Sequence, residues 1–249
     1  MTIDLRRYVE NKIYPYVEND IKDDLEACIG HIISKGKRST VKGNGKILTV
    51  VGLSGGADSI ATLFISKKIG FNPIAVTLDY GSLFYNNDYK KNVKRIAKKL
   101  GVKSIFIPIN KKYFKIITDS LKNGKKPCKE CVKLKVRQLE DICKEMRISF
   151  LVIGDMASIK NPIEVINKRL VRVNLPSLFC MDENDMIEAS KKLTNENLVY
   201  ACPVPFILKK YNIKLNDKLK ILWIRKLLNW SKSLKEEEIL KLLKDIMDS

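Results

Sequence analysis

The sequence predicts an α/β protein, a parallel-sheet domain with helical appendages at its N- and C-terminal ends. Ile47 to Val51 is an apolar, largely β-branched run of the kind that forms a strand buried on both faces. It breaks at Ser54-Gly55-Gly56-Ala57-Asp58-Ser59 and continues through Ile60, Leu63, Phe64 and Lys67 at helical spacing. From Lys46 onward, short apolar runs alternate with amphipathic stretches, the pattern of strands joined by crossover helices.

Taken in order, strands are expected at 47–53, 73–79, 103–109 and 150–154, and helices at 58–69, 86–100, 111–121 and 129–147. The N-terminal arm, 1–45, reads as helical, because Leu5, Tyr8, Val9 and Ile13, and then Ile21, Leu25, Cys28, Ile29 and Ile32, recur at helical spacing. Gly36 to Gly45 reads as a basic linker. The α/β domain is expected over 46–205 and a helical C-terminal appendage over 206–249. In that appendage Leu219, Leu222, Trp223, Leu227 and Leu228 form one apolar face, and Glu236 to Met247 forms a second amphipathic segment. Such stripes serve packing or a subunit contact, so a homodimer is compatible with them.

The 249 residues contain no apolar run of membrane-spanning length, and the first residues lack the features of a signal peptide. A soluble, cytoplasmic protein with no membrane partner is expected. The single histidine, His31, makes imidazole zinc sites and Ser-His triads poor candidates. Six cysteines at irregular spacing suggest metal or redox chemistry rather than a disulfide scaffold. Net charge is +19, and Lys90 to Arg137 holds 17 Lys and Arg against Asp119 and Glu130, a local +15. A basic stretch that also carries a Cys pair favours a polyanionic substrate, RNA first among candidates.

The Ser54–Ser59 stretch has the parts of an anion cradle. Gly55 and Gly56 let backbone N–H groups approach a phosphate, and the following helix adds unpaired donors and the positive end of its dipole. Ser54 and Ser59 contribute hydroxyls, and Asp58 can hold Mg²⁺ or cap the helix. No Gly-Lys-Ser/Thr follows, so this is not a Walker loop, and the third glycine of the dinucleotide fingerprint is missing. Pro127-Cys128-Lys129-Glu130-Cys131 opens a helix, where two thiolates three residues apart can face one metal and flanking lysines and the dipole favour ionisation.

Ser54-Gly55-Gly56-Ala57-Asp58-Ser59 resembles, residue for residue, the S-G-G-x-D-S loop of the PP-loop ATP pyrophosphatases, which split ATP into AMP and pyrophosphate. The resemblance covers about residues 46–205 and implies an adenine nucleotide α-hydrolase-like domain that binds ATP with Mg²⁺. It makes Ser54, Gly55, Gly56, Asp58 and Ser59 nucleotide-binding residues, with Asp58 also catalytic. In these proteins adenine and ribose lie across the carboxyl edge of the second strand, so Asp79 is expected at the nucleotide; its alternative role is a strand-ending turn. Gly154-Asp155 stands where sulfur-inserting relatives carry a Gly-His and a pair of aspartates. The histidine is absent, and Asp155 is either a nucleotide or Mg²⁺ contact or a helix cap. Arg169 and Arg172 precede a segment similar to the Arg-Pro-Leu turn of these families, so an Arg here is either a phosphate contact, Arg172 being slightly favoured, or a surface residue.

Cys128-x-x-Cys131 with the distant Cys202 resembles the arrangement in iron–sulfur-dependent tRNA thiolases. There three cysteines hold a [4Fe–4S] cluster and leave one iron without a protein ligand. On that resemblance Cys128, Cys131 and Cys202 are the metal ligands and take part in catalysis. The expected reaction is ATP-dependent replacement of oxygen by sulfur in a tRNA nucleobase, with a donor protein or inorganic sulfide as sulfur source. A metal-free relay through Cys128 and Cys131, or a zinc site, remains open, as does a PP-loop enzyme that activates a small substrate without RNA. Cys143 and Cys180 read as buried structural thiols, Cys180 being an alternative third ligand.

Overall fold

Five strands run parallel: β1 (Leu48–Gly52), β2 (Asn72–Asp79), β3 (Lys103–Pro108), β4 (Phe150–Ile153) and β6 (Leu170–Asn174). β5 (Ile163–Asn167) pairs antiparallel with β6 at one edge, giving the sheet order β3-β2-β1-β4-β6-β5. The computed structural model describes residues 5–36, 47–81, 87–155, 162–193, 202–230, 240 and 243–244. The expected linker at 36–45 and amphipathic segment at 236–247 lie almost wholly outside them, as does Met156 to Ser158.

The central strands are apolar on both faces because helices cover both faces of a parallel sheet. Val50 and Val51 of β1 and Leu151 and Val152 of β4 have no exposed surface. α3 (Ala57–Lys68) buries Ile60, Ala61 and Leu63 and packs on β1, β2, β4 and α8 (Glu183–Lys191). α6 (Cys128–Glu145) packs on β1, β4 and β6. α4 (Asn87–Lys99) and α5 (Lys111–Lys122) link β2, β3 and α6. The N-terminal helices α1 (Leu5–Lys12) and α2 (Asn19–Gly36) place Val9, Ile13, Ile21 and Leu25 in the same apolar core as the sheet. Trp223 of α10 (Asp217–Trp230) and Ile207 of α9 (Val204–Tyr211) join that core as well.

The expected strands and helices lie within about two residues of those observed; the β5–β6 hairpin and the short helices α7 (Leu175–Leu178), α8 and α9 are not among them. β5 and β6 form a hairpin in the stretch expected only to lead into an Arg-Pro-Leu-like turn. Its apolar alternation, Ile163, Val165 and then Val171, Val173 around Lys168-Arg169, is an ordinary hairpin pattern. The hairpin also corrects the expected phosphate contacts. Arg172 is committed to Glu140 (2.7 Å) and Glu164 (2.5 Å), and Arg169 to Glu18 (2.6 Å). A Glu18 N–H to Lys168 carbonyl bond of 3.0 Å adds to that latch between the N-terminal arm and the hairpin turn.

The strand order reverses between β1 and β4, because the chain moves outward from β1 to β2 and β3 and then returns to β4 on the other side. A crevice forms outside the carboxyl ends of the strands at such a switch point. Here the β1–α3 loop and Gly154-Asp155 both sit there. Gly154 touches α3 so closely that a Cβ would lie 2.1 Å from the Thr62 Oγ1 and 2.8 Å from the Asp58 carbonyl oxygen. Gly154→Ala is therefore expected to destabilise the protein by about 1–3 kcal/mol through overpacking, read by urea unfolding, and to weaken nucleotide binding by shifting the first turn of α3. An unchanged midpoint and unchanged nucleotide affinity would show that α3 yields freely.

Candidate active site

The loop after β1 is tied down by three side chains. Thr77 Oγ1 donates to the Leu53 carbonyl (2.7 Å) and Tyr89 OH donates to the Ser54 carbonyl (2.9 Å), so neighbouring elements fix two successive peptide groups. Ser59 Oγ accepts from Ser54 N–H and from Ser54 Oγ–H (both 3.1 Å) and donates to the Gly56 carbonyl (2.9 Å). Gly55 adopts φ +83°, a left-handed conformation that glycine takes without a steric penalty. Gly56, extended at φ −79° and ψ 162°, is the N-cap of α3 and contributes no side-chain acceptor. The N–H groups of the first turn thus stay available to an anion, reinforced by the helix dipole. Asp58 lies inside that turn, so the cap belongs to Gly56 and the carboxylate is left for other work.

Asp58 titrates well above the usual carboxylate range, at about 6. Burial is the main cause, and the negative charges of Glu183 and Asp155 add to it. Glu183 opens α8, which packs on α3; Asp155 follows β4. A magnesium–phosphate group, or any cation placed here, would relieve the repulsion and hold Asp58 ionised. Asn174 orients the β4 end: its side-chain Nδ2 donates to the Asp155 carbonyl (2.8 Å), and its Oδ1 accepts from the Asp155 N–H (3.3 Å).

Asp79 ends β2 with both carboxylate oxygens engaged. Oδ1 accepts from the Gly81 N–H (2.9 Å) and Oδ2 pairs with Lys90 Nζ (2.5 Å). The turn role foreseen for it is therefore present, and the same side chain faces a cation at the carboxyl edge. Tyr89 and Lys90, adjacent on α4, reach the phosphate loop and Asp79 respectively. Neither was singled out in the sequence, since a Tyr-Lys pair on a basic helix carries no pattern of its own.

The thiols gather beside the next residue of this turn. Tyr80 is buried with its ring 5.4 Å from Tyr113 and 6.4 Å from Phe114, both of α5. Tyr113 OH shares a 2.9 Å hydrogen bond with Cys131 Sγ. Lys135, one turn beyond Cys131 on α6, stands 5.9 Å over the Tyr80 ring. Burial lowers the ammonium pKa of Lys135, but Tyr80, Cys131 and Cys202 raise it further, leaving it above the ordinary lysine range. Burial pushes both tyrosines upward, so each hydroxyl keeps its proton. Cys128, Cys131 and Lys135 share one face of α6 at spacings of three and four residues, and Cys202, just before α9, borders the same lysine.

Cys128 and Cys202 are half-buried and Cys131 is buried. Among the described residues, no three His, Cys, Asp or Glu side chains already stand at metal-binding spacing. The donor set nevertheless suits iron–sulfur chemistry: Cys128 and Cys131 share a helix face, Cys131 and Cys202 both lie near Lys135, and thiolates are the ligands such clusters take. Cys143 is fully buried, its thiol pushed up to about 12 by burial, and is the inert structural thiol expected. Cys180 is exposed instead of buried. It takes φ +53° in the turn that ends α7 (Leu175–Leu178), closed by a Met181 N–H to Pro176 carbonyl bond of 2.9 Å, which turns its side chain outward.

A strand, a Ser-Gly-Gly-x-Asp-Ser loop and a helix at the switch point of a mostly parallel sheet are the arrangement of a PP-loop domain, and the chain is similar to proteins of that kind. Residues 48–153 match the family described as queuosine biosynthesis protein QueC. An uncharacterized protein of Methanocaldococcus jannaschii, MJ1638, is 30% identical over 165 residues, 66% of this chain and 62% of that one. The tRNA-specific 2-thiouridylase MnmA of Lactobacillus johnsonii is 28% identical over 129 residues, 46% of this chain and 34% of its own. Among solved structures, a predicted subunit of tRNA methyltransferase from M. jannaschii aligns with a TM-score of 0.51 and 20% identity, over 67% of this chain and 88% of that one. A U34-tRNA thiolase, NcsA, from Methanococcus maripaludis with its [4Fe–4S] cluster aligns at 0.47 and 16% identity, over 90% of this chain and 78% of that one. The resemblance to PP-loop proteins, tRNA thiolases among them, therefore holds. The chain spans less than two thirds of the length of these curated relatives.

The Asp58 titration gives a direct test. Its folded pKa lies above the unfolded value of 3.8, so ionising it opposes folding. That cost is absent below about pH 4, grows through about pH 6 and is complete above it. Asp58→Asn is expected to stabilise the ligand-free protein by about 2–3 kcal/mol at pH 8 and to give no gain at pH 4, measured by denaturant unfolding. The same variant should lose Mg²⁺-dependent ATP binding. A gain that is equal at both pH values would contradict the electrostatic origin.

Proposed function

We propose that this chain is an ATP-dependent sulfurtransferase that adenylates a nucleobase in tRNA and replaces its oxygen with sulfur. What supports the reading is that the Ser54–Ser59 cradle and the N-terminus of α6, which carries Cys128 and Cys131, meet the same carboxyl edge of the sheet, with Cys131 and Cys202 both beside Lys135. The tRNA-directed names of several relatives and the +15 charge of residues 90–137 support RNA as the substrate.

In this reading the first-turn N–H groups of α3, with Gly55, Gly56 and the Ser54 and Ser59 hydroxyls, hold the ATP phosphates. Asp58, with Asp155, would hold Mg²⁺, which supplies charge neutralisation for the departing pyrophosphate. Asp79, Gly154 and Asp155 border the nucleotide. The base carbonyl oxygen attacks the α-phosphorus, the bond to the β-phosphate oxygen breaks, and pyrophosphate leaves. Sulfur then adds to the activated carbon and the carbon–oxygen bond breaks with release of AMP. Fixed N–H dipoles favour charge on the phosphates without reorganising during the reaction. Cys128, Cys131 and Cys202 would hold a [4Fe–4S] cluster, which supplies an open iron position for sulfide. Lys135 and Tyr113 orient that thiol group and exclude water from its inner side. The cytoplasm is the compartment in which tRNA and reduced thiols coexist.

The family match favours one alternative, because that family is named for queuosine biosynthesis and not for sulfur transfer. Under it the same cradle activates a small substrate, and RNA plays no part.

Anaerobic protein given Mg²⁺-ATP, sulfide and tRNA is expected to yield AMP and thiolated nucleoside in equal amounts, quantified by nucleoside mass spectrometry. Cys128→Ala should keep ATP binding and lose thiolation by more than 100-fold, an order-of-magnitude expectation for loss of an essential ligand. ATP–pyrophosphate exchange that needs a small acid and no RNA would overturn the reading in favour of the alternative.

A further inference from the structure

The thiol-bearing helix also presents a row of cations with no carboxylate partner among the described residues. Lys129, Lys133 and Arg137 are exposed on α6 at successive four-residue spacing, about 6 Å apart along the axis. Lys125 and Lys126, exposed in the loop that enters the helix, extend the row past Cys128. None of the five makes an ion pair among the described residues. Elsewhere some surface cations are matched, Arg6 with Glu26, Lys144 with Asp141, Arg169 with Glu18 and Lys192 with Glu188, and others, such as Lys67, Lys103 and Lys111, have no ion pair among the described residues; what sets the row apart is its alignment on the helix that carries Cys128 and Cys131. Between Lys125 and Arg137 the sequence contains no aromatic, amide or hydroxyl side chain, and Val132 is the exposed large apolar residue. The row suits a chain of phosphates; apart from its own ammonium and guanidinium groups it offers a base no aromatic platform and no amide or hydroxyl with which to read an edge.

We propose that Lys125, Lys126, Lys129, Lys133 and Arg137 form a rail for the RNA sugar–phosphate backbone, one that supplies affinity without sequence preference and delivers an extruded base to the thiol end of α6. This rests on the proposed RNA substrate. The polarity of the fold carries the geometry: α6 runs back toward β4, so its N-terminus, with Cys128, lies at the carboxyl edge that also holds the phosphate loop. A base inside a duplex cannot reach that edge, so the nucleotide must be unpaired or turned out of its stack. An anionic membrane is a poorer fit, since a surface-bound helix needs a row of Trp, Phe or Leu beside its cations.

The test is RNA affinity as a function of salt, for the full chain and for Lys129→Ala/Lys133→Ala/Arg137→Ala. Alanine on an exposed helix face preserves folding, and Lys111→Ala/Lys112→Ala/Lys115→Ala on α5 serves as a control that removes three cations from another helix. The rail variant is expected to weaken tRNA and an unrelated hairpin RNA alike, by about 10-fold or more at 0.1 M salt, and to flatten the log–log salt slope by about two to three. The control variant should change neither. An unchanged slope in the rail variant, while the wild type binds RNA and consumes ATP in response to it, would overturn the rail and leave the proposed reaction standing. A wild type with no RNA affinity and with RNA-independent ATP turnover would overturn the reaction itself. Loss of affinity for one RNA alone would show base readout, and tighter binding to anionic vesicles than to RNA would assign the surface to a membrane; either result overturns the rail.

Discussion

The packing of Gly154 against the first turn of α3 is the contact on which the site depends. Two backbones meet there at a separation that excludes a Cβ. The contact brings the end of β4 to the loop after β1, and so sets Asp155 near Asp58 at the strand-order reversal. The raised Asp58 pKa follows from this closeness and from burial. The protein thereby keeps a pre-stressed electrostatic site, costly while empty and relieved by a cation and phosphates. Thr77, Tyr89, Ser59 and Asn174 spend their hydrogen bonds holding the surrounding peptide groups still, which is what electrostatic catalysis of phosphoryl or adenylyl transfer requires.

The second centre is coupled to the first through one strand end. Asp79 and Tyr80 are neighbours in the chain, and neighbours in a strand project in opposite directions. Asp79 reaches Lys90, whose neighbour Tyr89 holds the phosphate loop. Tyr80 contacts Tyr113 and Lys135, which border Cys131 and Cys202. Lys135 lies over the Tyr80 ring and near the Cys131 and Cys202 thiols, with no carboxylate partner among the described residues. Such a setting favours negative charge arriving from outside, whether as thiolate ligands or as the substrate.

Much of this was legible from residue pattern. A buried parallel strand announces itself by a continuous β-branched run, and the Ser-Gly-Gly loop by its lack of Cβ atoms, so β1, α3 and the cradle were readable together. Cys128 and Cys131 were readable because thiols three apart on a helix share a face. The β5–β6 hairpin was obscured by its charged interstrand residues, and Arg172 looked available to phosphate because its partners, Glu140 and Glu164, come from another helix and another strand. Cys180 looked buried because its neighbours are apolar, yet a left-handed backbone turns it out. Tyr89, Lys90, Tyr113 and Lys135 have no signature at all. Their roles come from the tertiary meeting of α4, α5 and α6 at the strand ends.

The central claim is that the three thiols act together as one metal-binding group beside an ATP cradle. Iron and acid-labile sulfide, counted on protein purified without oxygen and on its Cys131→Ala and Cys202→Ala variants, test it most directly. The account expects about four irons and about four sulfides per chain with broad visible absorption, lost in either variant, while Cys143→Ala and Cys180→Ala keep both. Protein that takes up no iron or sulfide even after reconstitution, or that keeps its cluster without Cys202, would contradict it.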